Sequence, residues 1–198
     1  MLNQRTKERN ILKIYFKSYN GDPTTLPYKE HMPGATPFKE FDVKEMQKFI
    51  LTRGSILIFL ICPYIVIHGK NPDSGIVLGL LCSLLAILPR ELIRALCFKE
   101  DVTIYINKKK LSLLVHGTES MSKHRFILMN LLPDIILGFI PFMIFVFLPE
   151  YIFLGLFGTV FLAMGVGDYY NVINAIEQMP KGAKTYYYLM QSYWYLPI

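Results

Sequence analysis

The stretch Leu88-Pro89-Arg90-Glu91-Leu92-Ile93-Arg94-Ala95-Leu96-Cys97-Phe98 ends a long apolar run and sets two arginines and a glutamate where hydrocarbon is expected. A charged side chain deep in a bilayer costs at least about 2.5–3.5 kcal/mol, even on lenient insertion scales. Three of them within about one and a half helical turns must find partners inside the protein. Arg90 and Arg94 are four residues apart, so on a helix they share one face, with Glu91 beside it. The run is read as a membrane span whose far end is held by ion pairs.

Composition supports that reading. The chain has 198 residues, 53% of them hydrophobic and 14% aromatic, and the apolar residues fall in blocks. The class expected is an α-helical integral membrane protein. The formal charge of +6 suits loops that face an anionic leaflet. Its basic residues flank the apolar blocks and form no groove-like pattern, so no nucleic-acid partner is expected. Cys62, Cys82 and Cys97 lie in apolar runs at no metal-ligand spacing and read as core thiols. Met1 to Lys17 hold no signal-peptide core, so the first span is expected to carry the chain into the membrane.

Three segments follow along the chain: a head over residues 1–48, a membrane core over 49–176, and a tail over 177–198. In the head, Gln4 to Lys17 could lie as a short surface helix. Gly21 to Phe41 is rich in proline and therefore extended or turned. Asp42 can cap a helix that begins there, with Glu45 three residues on. Four spans are expected, roughly Phe49–His68, Gly75–Phe98, Arg125–Leu148 and Tyr151–Ile176, each long enough for a hydrocarbon core of about 30 Å.

Between the second and third spans, residues 100–118 alternate and then turn at Asn107-Lys108-Lys109-Lys110, which predicts a β-hairpin. Lysine and arginine crowd the head, this hairpin segment and the tail, while the other two connections carry only Lys70. Both termini and the hairpin are therefore expected in the cytoplasm, making the chain a multi-pass cell-membrane protein. The glycines of the last span, Gly155 to Gly167, are expected to pack within the bundle. The tail aromatics Tyr186-Tyr187-Tyr188, Tyr193, Trp194 and Tyr195 read as an interface belt.

Depth ties the charges together. At about 1.5 Å per residue, Arg94 and Arg90 lie about 6 and 12 Å from the cytoplasmic end of their span. Asp134 falls about 13 Å deep on the third span, and Asp168 reaches a similar layer on the fourth. Arg94 is expected to pair with Asp168, and Arg90 to reach Asp134 or Glu91. The alternative has Arg94 snorkelling to headgroups, with only Arg90 paired.

The arginine stretch has a second meaning. With histidine at positions 90 and 94 it would read His-Glu-Leu-Ile-His, the zinc-binding helix of metallopeptidases. Gly167-Asp168, the polar exit Asn171 to Ile176 with Pro180, Gly182 and Ala183, and Ser122-Lys123-His124-Arg125-Phe126 leading to Leu132-Pro133 extend the likeness. Over roughly residues 50–190 the chain resembles a family of small bacterial membrane proteins described as putative zincin peptidases, relatives of the site-2 proteases. The resemblance implies zinc ligands at positions 90, 94 and 168, with Glu91 as general base. It also implies that the strand pair borders a substrate cleft.

The departures decide the expected function. Arginine keeps its proton at working pH and offers a metal no lone pair. Asp168 and Glu91 alone would hold zinc poorly, and none of His31, His68, His116 and His124 has a second histidine at helix spacing. Without zinc no water is activated at neutral pH. The expectation is a pseudo-peptidase with no catalytic residue, metal or cofactor. In it, Arg90, Glu91, Arg94, Asp134 and Asp168 form an ion-pair cluster in place of the metal. Its work would be to bind a membrane-protein or peptide partner as a subunit or regulator of a larger complex. Two rivals stay open: an active metallopeptidase with unusual ligands, and an assembly or immunity factor for a transporter or secreted peptide.

Overall fold

The structure, a computed structural model, describes residues 12–38, 43–70, 72–108, 112–188 and 191–197. Gln4 to Ile11, Asp42 with its expected cap, and Lys109 and Lys110 of the expected turn lie outside these. Helix α1, Val43–His68, runs unbroken through Pro63. The second apolar block divides into α2, Pro72–Leu85, and α3, Ile87–Ala95, bent by 42°. The third comprises α4, Lys123–Asp134, a π-helical turn over Ile135–Phe139, and α5, Ile140–Phe147. That widened turn lies just before Pro141, whose missing N–H and bulky ring an ordinary α-helical turn would not accommodate. The fourth block divides into α6, Ile152–Met164, and α7, Val166–Gln178, bent by 47° at Gly165.

Among the described residues two helical stretches, Met46–His68 and Lys123–Phe147, are long and apolar enough to cross a membrane, or up to four if each bent pair is one span. The second and fourth apolar blocks, each expected as one span, are each divided by a bend. Each break tilts its polar half, α3 or α7, away from the apolar half.

The other described elements are a short 3-10 turn, Pro23–Thr25, and the strands β1, Ile14–Ser18; β2, Thr36–Pro37; β3, Val102–Asn107; β4, Ser112–His116; β5, Met121–Ser122; β6, Lys184–Tyr188; and β7, Gln191–Tyr195. The hairpin β3–β4 gains a third strand, since β1 pairs parallel to β3 with Ile14 opposite Val102. A hairpin alone is marginal in water, so the added strand supplies what it lacks. This corrects the surface helix expected up to Lys17: residues Ile14 to Ser18 are extended and hydrogen-bonded in a sheet.

The second sheet, in order β2-β7-β6-β5, is antiparallel throughout and joins head to tail. The tail aromatics are therefore strand residues. Tyr186 is buried at 2% exposure, and its ring lies 6.0 Å from that of Tyr193. Two short β-prone runs separated by only two residues, Leu189 and Met190, were the available hairpin signal.

The larger apolar core lies between the sheets and the ends of α3, α4 and α7, and includes Phe38, Ala95, Phe98, Phe126, Met129 and Met179. A smaller cluster of Ile65, Phe145 and Ile152 closes the other end of the helices.

Candidate functional site

Beyond the 42° bend between α2 and α3, the charged face of α3 packs on α4 and reaches α7 through ion pairs to Asp168. Arg90 and Glu91 on α3, Asp134 at the end of α4 and Asp168 in the first turn of α7 are all buried, at 7, 5, 2 and 8% exposure. Arg94, one turn beyond Arg90, keeps 17% of its side chain exposed. The five charged residues singled out from the sequence lie together.

Their contacts close a ring of alternating sign. Arg90 Nη1 donates to Glu91 Oε1 at 3.2 Å, and Arg94 Nη1 donates to Glu91 Oε2 at 3.3 Å. Asp168 Oδ2 accepts from both arginines, from Arg90 Nη2 and from Arg94 Nη2, the latter at 2.6 Å. Asp134 joins from outside the ring, its Oδ1 accepting from Arg90 Nη2 at 3.3 Å. Such mutual pairing is what offsets the cost of taking five charges out of water.

Asp134 Oδ2 and the Nε atoms of Arg90 and Arg94 have no hydrogen-bond partner among the described residues. That free oxygen lies against Gly165, where a Cβ would come within 2.1 Å of it. The glycine between α6 and α7 is what lets the helix backbone approach this carboxyl.

Sequence reasoning missed the polar groups around the ring. Asn130, at 2% exposure and one turn before Asp134, accepts from Asn171 Nδ2 at 3.4 Å, three residues after Asp168. The spacings Asn130–Asp134 and Asp168–Asn171, each on one helix face, were the legible signal.

A second device fixes the far end of α3. Glu119 accepts the backbone N–H groups of Lys99 and Glu100 at 2.6 and 3.2 Å and pairs with Arg125 at 2.5 Å. Arg125 also donates to the Cys97 carbonyl at 2.7 Å. Burial works against the Glu119 carboxylate, but these bonds outweigh it and hold the carboxyl below its ordinary range. No spacing in the sequence announces this clamp, since its partners come from a loop, a helix end and a turn.

Over the same core, Tyr187 of β6 sits between the rings of His116 and Phe126, at 6.0 and 6.4 Å. Burial pushes its phenol up to about 12, with the Arg94 guanidinium pulling the other way.

Chemically, the ring presents no metal donor set. The space between the three carboxyls holds the Arg90 guanidinium, which has five N–H donors and no lone pair. Among the described residues no group of three or more histidine, cysteine, aspartate or glutamate side chains could hold a metal ion. His31 is turned instead to the tail, with Nδ1 2.7 Å from the Tyr186 hydroxyl, and His116 donates from Nε2 to the Pro27 carbonyl at 2.7 Å.

The model of a protein family described as "Putative zincin peptidase" matches residues 83–184. No curated protein matches the chain, and no solved structure does.

Proposed function

Since the chain belongs to the putative zincin peptidase family, we propose that it is a peptidase-like membrane protein in which ion pairs have taken the place of the metal. Zinc, which the family's description implies, does not fit the residues present. The helix spacing at which two imidazoles would hold it carries Arg90 and Arg94, and their guanidiniums are already committed to Glu91 and Asp168. That shared use of one carboxylate by two arginines is the observation that carries the reading. Asp168 and Glu91 are retained, but as counter-ions, and the chain is catalytically inactive.

In this reading the chain crosses the membrane four times, each bent pair counting as one span, with both termini in the cytoplasm. The lysine and arginine bias of the connections supports that orientation. The work left to such a fold is binding. The partner is a membrane helix or an extended peptide held near the former cleft, and the chain serves as a subunit or regulator of a larger membrane complex.

Elemental analysis of the full chain, purified without chelator, tests the first part. The expected result is a negligible fraction of one zinc per chain, and near-stoichiometric zinc would refute it. Co-purification from the native membrane tests the second: a stable partner is expected, and a chain that always emerges alone would refute binding as its role.

A further inference from the structure

Helices α1 and α2 both pack against α6 and leave between them a groove of about 480 Å³. Leu51, Gly54 and Ser55 of α1, Leu80 of α2, and Thr159 and Ala163 of α6 are among its lining residues. On the four-span reading proposed above, which this inference rests on, the groove faces the hydrocarbon, beside exposed residues such as Leu51 at 69% and Leu81 at 54%.

The floor is kept low by small residues: a Cβ placed on Gly54 would meet only the Ala163 carbonyl, at 3.8 Å. Thr159 on α6 already donates its hydroxyl to the Gly155 carbonyl at 2.7 Å, which leaves it little to offer water. A groove at this depth must be filled by hydrocarbon, since water there would find few partners.

Two observations select the occupant. A helix with its side chains is about 10–12 Å across and rises about 5.4 Å per turn, so 480 Å³ takes in no more than about one turn of it, whereas a single acyl chain can lie along such a space. Towards the start of α1, exposed Lys48 stands three residues before Leu51 and seven before Ser55, a spacing that puts it on the same helix face as those two lining residues. Helical side chains lean towards the N-terminus, so its ammonium reaches away from the hydrocarbon to the headgroup level.

We propose that the groove between α1 and α2 is a site for an anionic phospholipid of the leaflet on the sheet side, with one acyl chain against Gly54 and Ala163 and the phosphate at Lys48. It does not depend on the ion-pair ring, so its failure would leave the pseudo-peptidase reading untouched.

Native mass spectrometry of the full chain in detergent, with phosphatidylglycerol or phosphatidylcholine added, tests this site. The parent is expected to retain one phosphatidylglycerol in preference to phosphatidylcholine. Gly54→Leu, which fills the groove, should lower that retention about tenfold at an unchanged melting temperature. Ala163→Leu fills the groove from the α6 side and keeps the test decisive should the first variant not fold. Lys48→Gln should remove the preference between the two lipids. Equal retention by the parent and both filled variants would overturn the proposal. So would a parent dimer that Gly54→Leu dissolves, since that result assigns the groove to a second copy of the chain.

Discussion

Replacing Asp168 by asparagine keeps the shape of the side chain and removes its charge, and two ways of counting disagree about the result. Counted as charge alone, two guanidiniums face three carboxyls, so the substitution relieves an excess. Counted as contacts, it opens the ring. Arg94 loses its partner at 2.6 Å and keeps only Glu91 at 3.3 Å, while Arg90 keeps Glu91 at 3.2 Å and Asp134 at 3.3 Å.

Geometry favours the second count, because burial makes each contact worth more than the sum of distant charges. Removing one partner of a buried pair costs about 3–5 kcal/mol. For a chain of this size, about 2–4 °C per kcal/mol turns that into a fall of roughly 6–20 °C in the melting midpoint. The assay is a thermal melt of the full chain in one detergent at neutral pH, followed by fluorescence of Trp194, the chain's one tryptophan.

Asp134→Asn is the internal control. Asp134 makes one contact, at 3.3 Å, and its other oxygen has no partner, so its loss should cost less. A midpoint for Asp168→Asn within about 2 °C of the parent, or a larger loss for Asp134→Asn, would refute the ring as a source of stability.

Other outcomes follow from neighbouring contacts. The double substitution Arg90→His with Arg94→His places two imidazoles four residues apart beside Glu91 and Asp168, and the purified variant should hold about one equivalent of zinc by elemental analysis, against the negligible fraction expected of the parent. Gly165→Ala would drive a methyl to 2.1 Å from Asp134 Oδ2 and should cost at least about 1–3 kcal/mol, read as a lower melting midpoint, whereas Gly54→Ala, with its nearest neighbour at 3.8 Å, should be close to neutral.

The Glu119 carboxyl is held below its ordinary value, so the clamp stabilises fully above about pH 4.3 and loses its contribution as pH falls through the lowered folded value. Melts recorded at falling pH should show this acid limb in the parent and a flatter one in Glu119→Gln. Burial lowers His116, against the opposing effect of its bond to the Pro27 carbonyl, so stability should also drop as pH falls from about 6.5 through the lowered folded value. His116→Gln should lack that step.

What the amino-acid order determined by itself was everything that a sum over one local stretch can state. Apolar blocks of span length, a hairpin where alternation meets a turn, and charges too costly to leave unpaired are all properties of contiguous residues. Arg90 and Arg94 announced that acids must come to meet them, and depth counting along each helix narrowed the candidates to Glu91, Asp134 and Asp168.

The tertiary structure decided how they meet. Pro89, which cannot donate to the Leu85 carbonyl and crowds it, and Gly165 make the two breaks possible, but only the packing of α3 and α7 with their polar faces on α4 decides how far each helix turns there. Hydropathy averaged over a whole block conceals such a break. The strands of the head were hidden for a related reason: β1 finds β3, and β2 finds β7, across long separations, and a pairing energy that exists only between distant segments leaves no mark on either segment alone.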